Sequence, residues 1–209
     1  MSSAFSLHEF SLRRLICSLR LCTGALVASA ALASHAQAQM ALDNAASDLR
    51  FISVKGAFQL AEVHRFKTLS GLLTDDGKAS LVVDLSSVET GVPIRNERMQ
   101  NLLFDVTNFS TARFDGQVDM AAVKKMVTGD SMDVNVKGQF ALHGKAQEVT
   151  TRLRVNRLAS GALAVSTLAP IVVDARQYDL TSGIDKLREI MGLPLLVYTV
   201  PVNFAVVYK

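Results

Sequence analysis

The chain has 209 residues, two cysteines and no tryptophan, and its formal net charge is +3. Its length fits one domain, with a core large enough to bury about 70% of the unfolded chain's surface. No run of basic residues follows residue 38, and residues 39–209 carry a net charge of only +1. Nucleic acid is therefore not an expected partner.

The N-terminal residues have the pattern of an export signal. Arg13, Arg14 and Arg20 precede an apolar stretch at residues 21–33. This stretch is followed by Ala36-Gln37-Ala38, a small-x-small sequence that is typical of signal-peptidase sites. We therefore predict a signal peptide at residues 1–38, cleaved near Ala38, and an exported mature domain at residues 39–209. A retained anchor is the alternative, although the apolar stretch is shorter than the ~20 residues that span a membrane.

Both cysteines lie within the predicted signal peptide. Cys17 precedes the apolar stretch and Cys22 lies at its start, whereas the cysteine of a lipoprotein would follow it. The mature domain would then have neither disulfides nor thiolate ligands, so its core must stabilise it alone.

Apolar and polar residues alternate along most of the mature chain, as they do in half-buried strands. Runs at residues 133–143 and 149–156 flank a turn at Gly144-Lys145 and predict an antiparallel hairpin. Further strands are predicted at residues 47–56, 62–73, 78–85, 111–119, 162–173 and 196–208. The last is apolar on both faces and contains Pro201, which indicates an edge, a bulge or a strand covered on both sides. About eight strands fit a barrel or a sandwich, and such a barrel can hold one small ligand.

Two segments change to a helical period. The first begins at Pro93, a residue that a first helical turn tolerates, and the second ends before Gly192 and Pro194. Their apolar stripes are formed by Met99, Leu102, Leu103 and Val106 in the first segment and by Ile184, Leu187, Ile190 and Met191 in the second. We predict two short helices that cover the ends of a barrel. Packing of the core without a ligand is the alternative.

The mature chain offers little for catalysis. We expect His64 and His143 to be exposed on strands, because no compact set of metal ligands surrounds them in sequence. No Gly-x-Ser-x-Gly nucleophile elbow occurs, and Asp75-Asp76 precedes Gly77 as in a turn. We predict a protein that is not an enzyme and uses no metal or cofactor. A lipid-modifying enzyme or isomerase is the alternative.

Two other classes also fit an exported chain of alternating strands. An outer-membrane barrel would carry aromatic girdles, whereas this chain has three tyrosines, no tryptophan and two apolar helical segments. A structural or protein-binding domain would carry no lipid.

Several short motifs, taken in order, resemble the YceI-like family of exported lipid-binding proteins over essentially the whole mature length. They are Ser47-Asp48-Leu49-Arg50-Phe51, Phe66-Lys67-Thr68-Leu69-Ser70-Gly71, Ser87-Val88-Glu89-Thr90-Gly91, Arg95-Asn96-Glu97-Arg98-Met99, Phe104-Asp105-Val106 before Phe114, and Val136-Lys137-Gly138-Gln139-Phe140-Ala141-Leu142-His143-Gly144. The chain departs from the family pattern at Phe109-Ser110, where Tyr-Pro is usual, and at Asn96, where the family has aspartate.

The resemblance implies an extended, lipocalin-like antiparallel β-barrel of about eight strands with two short helices. Its apolar cavity would take a polyisoprenoid or other amphiphilic lipid, such as an isoprenoid quinone or its precursor. The implied role is periplasmic transport or sequestration of that lipid. Transient membrane contact is compatible with this role, and the oligomeric state, a homodimer included, stays open.

We expect large apolar residues to line the cavity, because Met and Phe adapt to irregular chains. The candidates are Met99, Leu102, Leu103, Phe104, Phe109, Phe114, Phe140, Leu187 and Met191. Arg95, Asn96 and Arg98 are the candidates for head-group contacts, since guanidinium groups pair with phosphate or polarise a carbonyl. Simple core packing and a solvated helix face are the alternatives for these two sets.

Overall fold

The computed structural model describes residues 39–209. The predicted signal peptide therefore lies outside the described residues. The strands are β1 (Gln39–Ala41), β2 (Asp48–Lys55), β3 (Leu60–Phe66), β4 (Leu69–Ser70), β5 (Leu72–Thr74), β6 (Lys78–Asp84), β7 (Val88–Glu89), β8 (Thr111–Gln117), β9 (Ser131–Leu142), β10 (Lys145–Arg157), β11 (Leu163–Thr167), β12 (Ile171–Asp174) and β13 (Thr199–Tyr208).

The helices are few and short. They are α1 (Pro93–Arg98), which continues as a π-helix over Met99–Phe104, α2 (Met120–Val123) and α3 (Thr181–Ile190), with 3₁₀ turns at Asn44–Ala46, Leu85–Ser87 and Ala175–Tyr178. The π-helix ends at Asp105, whose φ of 48° places it in the left-handed region. None of the helices in the described part of the chain is long and apolar enough to cross a membrane.

The strands form one antiparallel sheet that curls into a barrel. Its order is β1-β5-β6-β8-β9-β10-β11-β13-β2-β3-β7. From β3 the chain runs on through β4 and β5, which both pair with β6, so the sheet returns on itself. If β3–β5 and β11–β12 each count as one bent strand, the wall has eight main strands. The predicted antiparallel barrel-like fold is confirmed.

The longest hairpin joins β9 and β10, whose register runs from Leu142↔Lys145 to Ser131↔Asn156. Its turn contains His143 at φ 50° and Gly144 at φ 74°. Two consecutive residues with positive φ match the right-handed twist of the strands that they join. The hairpin predicted around Gly144 therefore lies where expected.

β13 is a central strand, although it contains a proline. Val202 pairs with Phe51 of β2, whereas Val197 donates its N–H to the Val54 carbonyl, so the register shifts by two residues across Pro201. Of the three interpretations left open by the sequence, a bulge is correct. Proline lacks the N–H that a regular ladder needs, and the bulge makes room for it.

α3 and the π-helix pack closely against each other over one end of the barrel. Gly183 of α3 is buried where the two segments meet. A methyl group added there would lie 2.6 Å from the Leu102 carbonyl oxygen and 2.8 Å from the Leu103 Cα. Glycine is thus required by the close approach of the two backbones.

We expect Gly183→Ala to lower the free energy of unfolding by about 1–2 kcal/mol. Overpacking of this kind costs about 1–3 kcal/mol, and the better helix propensity of alanine offsets up to about 1 kcal/mol of that cost. Urea denaturation measures the change. Ser182→Ala, at the exposed neighbouring position, is the control and should stay within about 0.5 kcal/mol of the parent. A Gly183→Ala protein as stable as the control would contradict the packing described here.

Candidate functional site

The barrel encloses an apolar cavity of about 220 Å³. Its wall is built from inward-facing side chains of nearly every main strand and from residues of the helical segments that cover it. Polar side chains on the wall are few among the described residues, namely Ser80, Thr151 and Tyr208. The Tyr208 hydroxyl donates to the Ser80 carbonyl at 2.9 Å, and burial raises the Tyr208 pKa to about 12. Such an interior suits an apolar chain.

Five of the nine predicted lining residues lie on the cavity wall. They are Met99, Leu103, Phe104, Phe114 and Phe140. Met99 and Phe104 belong to the π-helix and are buried, whereas Phe114 and Phe140 are opposite each other on β8 and β9. The Phe140 ring also meets Tyr178 edge to face at 5.5 Å. The structure thus brings together residues from three separate parts of the sequence.

The other four predicted lining residues do not reach the wall. Leu187 and Leu102 pack in the core where α3 meets the π-helix, and Met191 follows α3 against the same core. Phe109 precedes β8 in sequence and packs against the tip of the β9–β10 hairpin, where its ring centroid is 4.3 Å from that of His143. The structure therefore does not place these four residues on the cavity wall, where the sequence predicted them. Of the residues in the two apolar helical stripes, Met99, Leu103 and Ile184 line the cavity, whereas Leu102 and Leu187 pack between the helices.

Two of the three predicted head-group residues are engaged by the protein itself. Arg95 pairs with Glu62 at 2.7 Å and donates to the Thr90 carbonyl at 2.6 Å. The Asn96 side chain accepts from the Thr90 N–H at 2.9 Å and donates to Glu89 at 3.2 Å. Arg98 is half-buried and has no ion pair with any residue in the range 39–209. Asn96 therefore acts as a brace for the loop before α1.

The inner faces of β2 and β3 carry a gradient from apolar to polar. In register, Leu49 is opposite Phe66, Phe51 is opposite His64, and Ser53 is opposite Glu62. The ring centroids of Phe51 lie 5.2 Å from Phe66 and 5.1 Å from His64. Because Phe51 and Phe66 both line the cavity, His64 is the first polar group beyond the aromatic part of the wall.

His64 is buried rather than exposed, so the expectation from sequence is wrong at this position. Only 4% of its surface is accessible. Its Nε2 lies 2.8 Å from the Ser53 Oγ, and no residue in the described chain offers its Nδ1 a hydrogen bond. Burial, helped by the positive charge of Arg95, lowers the His64 pKa below its ordinary value of 6.5. The imidazole is therefore neutral, with one nitrogen as a donor and the other as an acceptor.

An ion-pair cluster follows His64 towards solvent. Glu62 pairs with Lys55 at 2.8 Å and with Arg95 at 2.7 Å. The hydrogen bond from Lys55 and the charge of Arg95 lower the Glu62 pKa, so the carboxylate stays ionised. The Arg95 Nε is buried and, like His64 Nδ1, has no hydrogen-bond partner within residues 39–209. The polar end of the barrel thus holds two unsatisfied nitrogens.

Sequence reasoning did not place Ser53, Lys55, Glu62 or His64 in the site. The signal was present, because side chains two residues apart on a strand share a face. Phe51, Ser53 and Lys55 have the same parity on β2, and Phe66, His64 and Glu62 have the same parity on β3. Once Phe51 and Phe66 are placed inside, the remaining four residues must follow them.

The barrel wall has a seam between β10 and β12. β10 pairs with β11 only from Leu153 onward, and β12 pairs with β13. Within the described residues, no strand pairing joins Lys145–Arg152 to β12. An outer groove follows this seam and shares four wall residues with the cavity, which are Val149, Thr151, Ile171 and Val173.

Contacts at both ends hold the seam together. The Leu168 N–H donates to the Arg152 carbonyl at 3.2 Å at one end. At the other end, the Gln147 amide lies 3.4 Å from the Gln177 carbonyl and Lys145 pairs with Asp179 at 2.9 Å. The apolar interior is therefore separated from the surface by side chains alone along this stretch.

The described chain is thus a curled antiparallel barrel with an apolar interior and one polar end, an architecture that in other proteins can hold one small ligand. Comparison with known proteins agrees with this class. The model of the YceI-like domain matches residues 40–208. The chain therefore belongs to the YceI-like family.

Two solved structures show the fold at different degrees of similarity. A polyisoprenoid binding domain from Saccharophagus degradans, implicated in plant cell wall breakdown, is 39% identical with a TM-score of 0.79, and the match covers 83% of this chain and 98% of that one. Burkholderia cenocepacia BcnA is 19% identical with a TM-score of 0.62, covering 80% and 99%, and it supports the fold alone. No curated protein sequence matches the chain.

We expect the protein to lose stability as the pH falls below about 6.5, before its carboxylates titrate. The His64 pKa is lowered in the folded state, so the unfolded chain binds more protons in this range and protonation favours unfolding. The carboxylate of Glu62, whose pKa is also lowered, loses its contribution only below its ordinary value of 4.5. Urea unfolding at pH 7.5 and 5.5 measures the difference.

The His64→Phe protein should show a smaller loss between the two pH values than the parent. Val63→Phe is the control, because Val63 is the neighbouring residue on the outer face and is 60% exposed. An equal loss in all three proteins would mean that another group causes the pH dependence.

Proposed function

We propose that the protein binds a polyisoprenoid or other amphiphilic lipid, such as an isoprenoid quinone or its precursor, in the barrel cavity and transports or sequesters it in the periplasm. The observation that carries the proposal is the almost entirely apolar wall of the cavity. The name of the Saccharophagus relative, a polyisoprenoid binding domain, supports the same ligand class. The predicted signal peptide supports the periplasmic location.

The energetics of the cavity favour such a ligand. Each methylene group that leaves water contributes about 0.8 kcal/mol, and an isoprenoid tail contains many of them. The wall combines aliphatic strand residues with Phe51, Phe66, Phe104, Phe114 and Phe140. A dry interior of this kind keeps an insoluble tail out of water during transit between membranes, with transient membrane contact at loading and release.

In this role the protein carries out no catalytic step. Ser80, Thr151 and Tyr208 are spread over three strands of the wall, and the Tyr208 hydroxyl is engaged by a backbone carbonyl. A pKa of about 12 makes Tyr208 a poor proton donor at neutral pH. Binding without chemistry accounts for this arrangement.

Mass spectrometry of an organic extract provides the direct test. The full chain is expressed with its own N-terminus, recovered from the periplasmic fraction and purified without detergent. We expect one isoprenoid or amphiphilic lipid per protein molecule. Recovery only from detergent-solubilised outer membrane would contradict the carrier, as would an extract without lipid from a protein that also takes up no added quinone or polyprenol.

Variants of the wall should abolish lipid uptake. Phe140→Asp and Met99→Asp each place a charge in the apolar interior, and an unpaired buried charge is strongly unfavourable. The control is Gln139→Asp, which puts the same side chain on the exposed face of β9. Circular dichroism checks that each variant is folded. Uptake by folded Phe140→Asp at the level of the control would contradict binding in the cavity.

Filling the cavity with a larger apolar side chain should also abolish lipid uptake, without introducing a polar group. Ala112 is a wall residue of β8 and is 3% exposed, so Ala112→Phe occupies space that the ligand needs. Ala146→Phe, on the exposed face of β10, is the matched control. We expect loss of lipid uptake in Ala112→Phe, with both variants still folded. Unchanged uptake would indicate that the lipid binds elsewhere.

A further inference from the structure

We propose that His64, together with Ser53 and Arg95, forms a binding site for an uncharged, oxygen-bearing head group at the polar end of the cavity. The ligand class is an isoprenoid alcohol or quinone rather than a bare hydrocarbon or a phosphate ester. This inference rests on the proposed function and extends it to the choice of head group.

Position is the first argument. His64 is opposite Phe51 on the same inner surface, immediately beyond the residues that line the cavity, so the head group of a tail lying against Phe51 and Phe66 would meet the imidazole there. Beyond His64 come Ser53 and Glu62, and then Lys55, whose half-buried ammonium group pairs with Glu62. The wall therefore changes from apolar to polar at His64, as an amphiphile changes from apolar to polar where its tail joins its head group.

Unsatisfied hydrogen-bonding capacity is the second argument. Buried polar atoms in folded proteins almost always have partners, yet four buried side-chain nitrogens have none within residues 39–209. Two of them, His64 Nδ1 and Arg95 Nε, belong to this end of the barrel, and the other two, His143 Nδ1 and Arg157 Nε, belong to the β9–β10 hairpin. A ligand oxygen supplies what His64 Nδ1 and Arg95 Nε lack. Arg95 Nε always donates, whereas His64 Nδ1 donates or accepts according to its tautomer.

The Ser53 hydroxyl lets the imidazole adapt to either kind of head group. When Ser53 donates to Nε2, the proton of the ring is on Nδ1, which then donates to a quinone carbonyl. When Nε2 donates to the Ser53 oxygen, Nδ1 accepts from an alcohol. Since a hydroxyl rotates freely and both donates and accepts, the 2.8 Å contact is satisfied in both states.

Charge is the third argument, and it disfavours a phosphate ester. Arg95 and Lys55 are both paired with the single carboxylate of Glu62, so the three groups together carry a net charge of +1, less than the roughly 1.5–2 negative charges of a phosphate monoester at pH 7. A phosphate at His64 would lie near the Glu62 carboxylate, which stays ionised because its pKa is lowered. His64 itself is neutral and adds no positive charge. An uncharged oxygen meets no such repulsion.

The test compares three ligands with the same tail, which are geranylgeraniol, geranylgeranyl phosphate and the matching hydrocarbon without a head group. Their dissociation constants are measured by displacement of a fluorescent lipid probe from the full chain purified and stripped of lipid. We expect the alcohol to bind about three- to tenfold more tightly than the hydrocarbon, as one buried hydrogen bond gives, and also more tightly than the phosphate.

In the His64→Phe protein this preference should be clearly reduced, because only the Arg95 Nε is then left to bond the alcohol oxygen. Phenylalanine keeps the ring contact with Phe51 but has no nitrogen. Val63→Phe, on the outer face of the same strand, is the control and should keep the preference. Preference unchanged in folded His64→Phe would overturn the head-group site while leaving lipid binding intact. Failure of all three ligands to bind the parent protein would instead overturn the proposed function.

NMR of the unmodified protein gives a second readout that does not depend on a variant. The imidazole ¹⁵N resonances of His64 should shift when geranylgeraniol is added and stay in place with the hydrocarbon. Equal shifts with both ligands would show that the ring senses the tail alone, and they would overturn the proposed role of Nδ1. The resonances of His143, at the hairpin tip, serve as the internal reference.

Discussion

The pairing of β2 with β3 is the constraint on which the site depends. In antiparallel strands, residues that are opposite each other share a face, so pairing Phe51 with His64 fixes which polar groups enter the barrel. The unfavourable free energy of burying the imidazole therefore comes together with the favourable free energy of burying the aromatic rings, because all of them lie on the same face. A shift of β3 by one residue against β2 would move His64 to the outside and expose Phe66 with it, while Phe51 stayed inside.

The strands could be predicted because their period of two is written directly in the sequence. The predicted strand at residues 78–85 matches β6, and that at residues 47–56 matches β2. The predicted strand at residues 162–173 is in fact two, because β11 ends at Thr167 where the chain leaves β10 and forms the seam. That break could not be predicted, because it depends on which strands are neighbours in the fold. The helix α2 could not be predicted either, because it is too short for its period to be recognised.

The candidate site was only partly predictable, for a reason that separates strands from helices. A residue on the inner face of a barrel strand can only point into the interior, so Phe114 and Phe140 reach the wall. The apolar stripe of a helix can pack against any of several neighbouring elements. Leu102 and Leu187 pack where α3 crosses the π-helix, and the close approach that decides this is made possible by Gly183. The burial of His64 likewise depends on the tertiary register.

The seam between β10 and β12 gives the barrel a property that a fully hydrogen-bonded wall lacks. The circumference of a closed barrel is set by its number of strands and its shear, and it changes only when ladder hydrogen bonds break. Along the seam the ladder is interrupted, and the restraints are two hydrogen bonds and the exposed pair Lys145–Asp179. A change in the girth of the barrel along this line would therefore break no ladder hydrogen bond and unfold no strand.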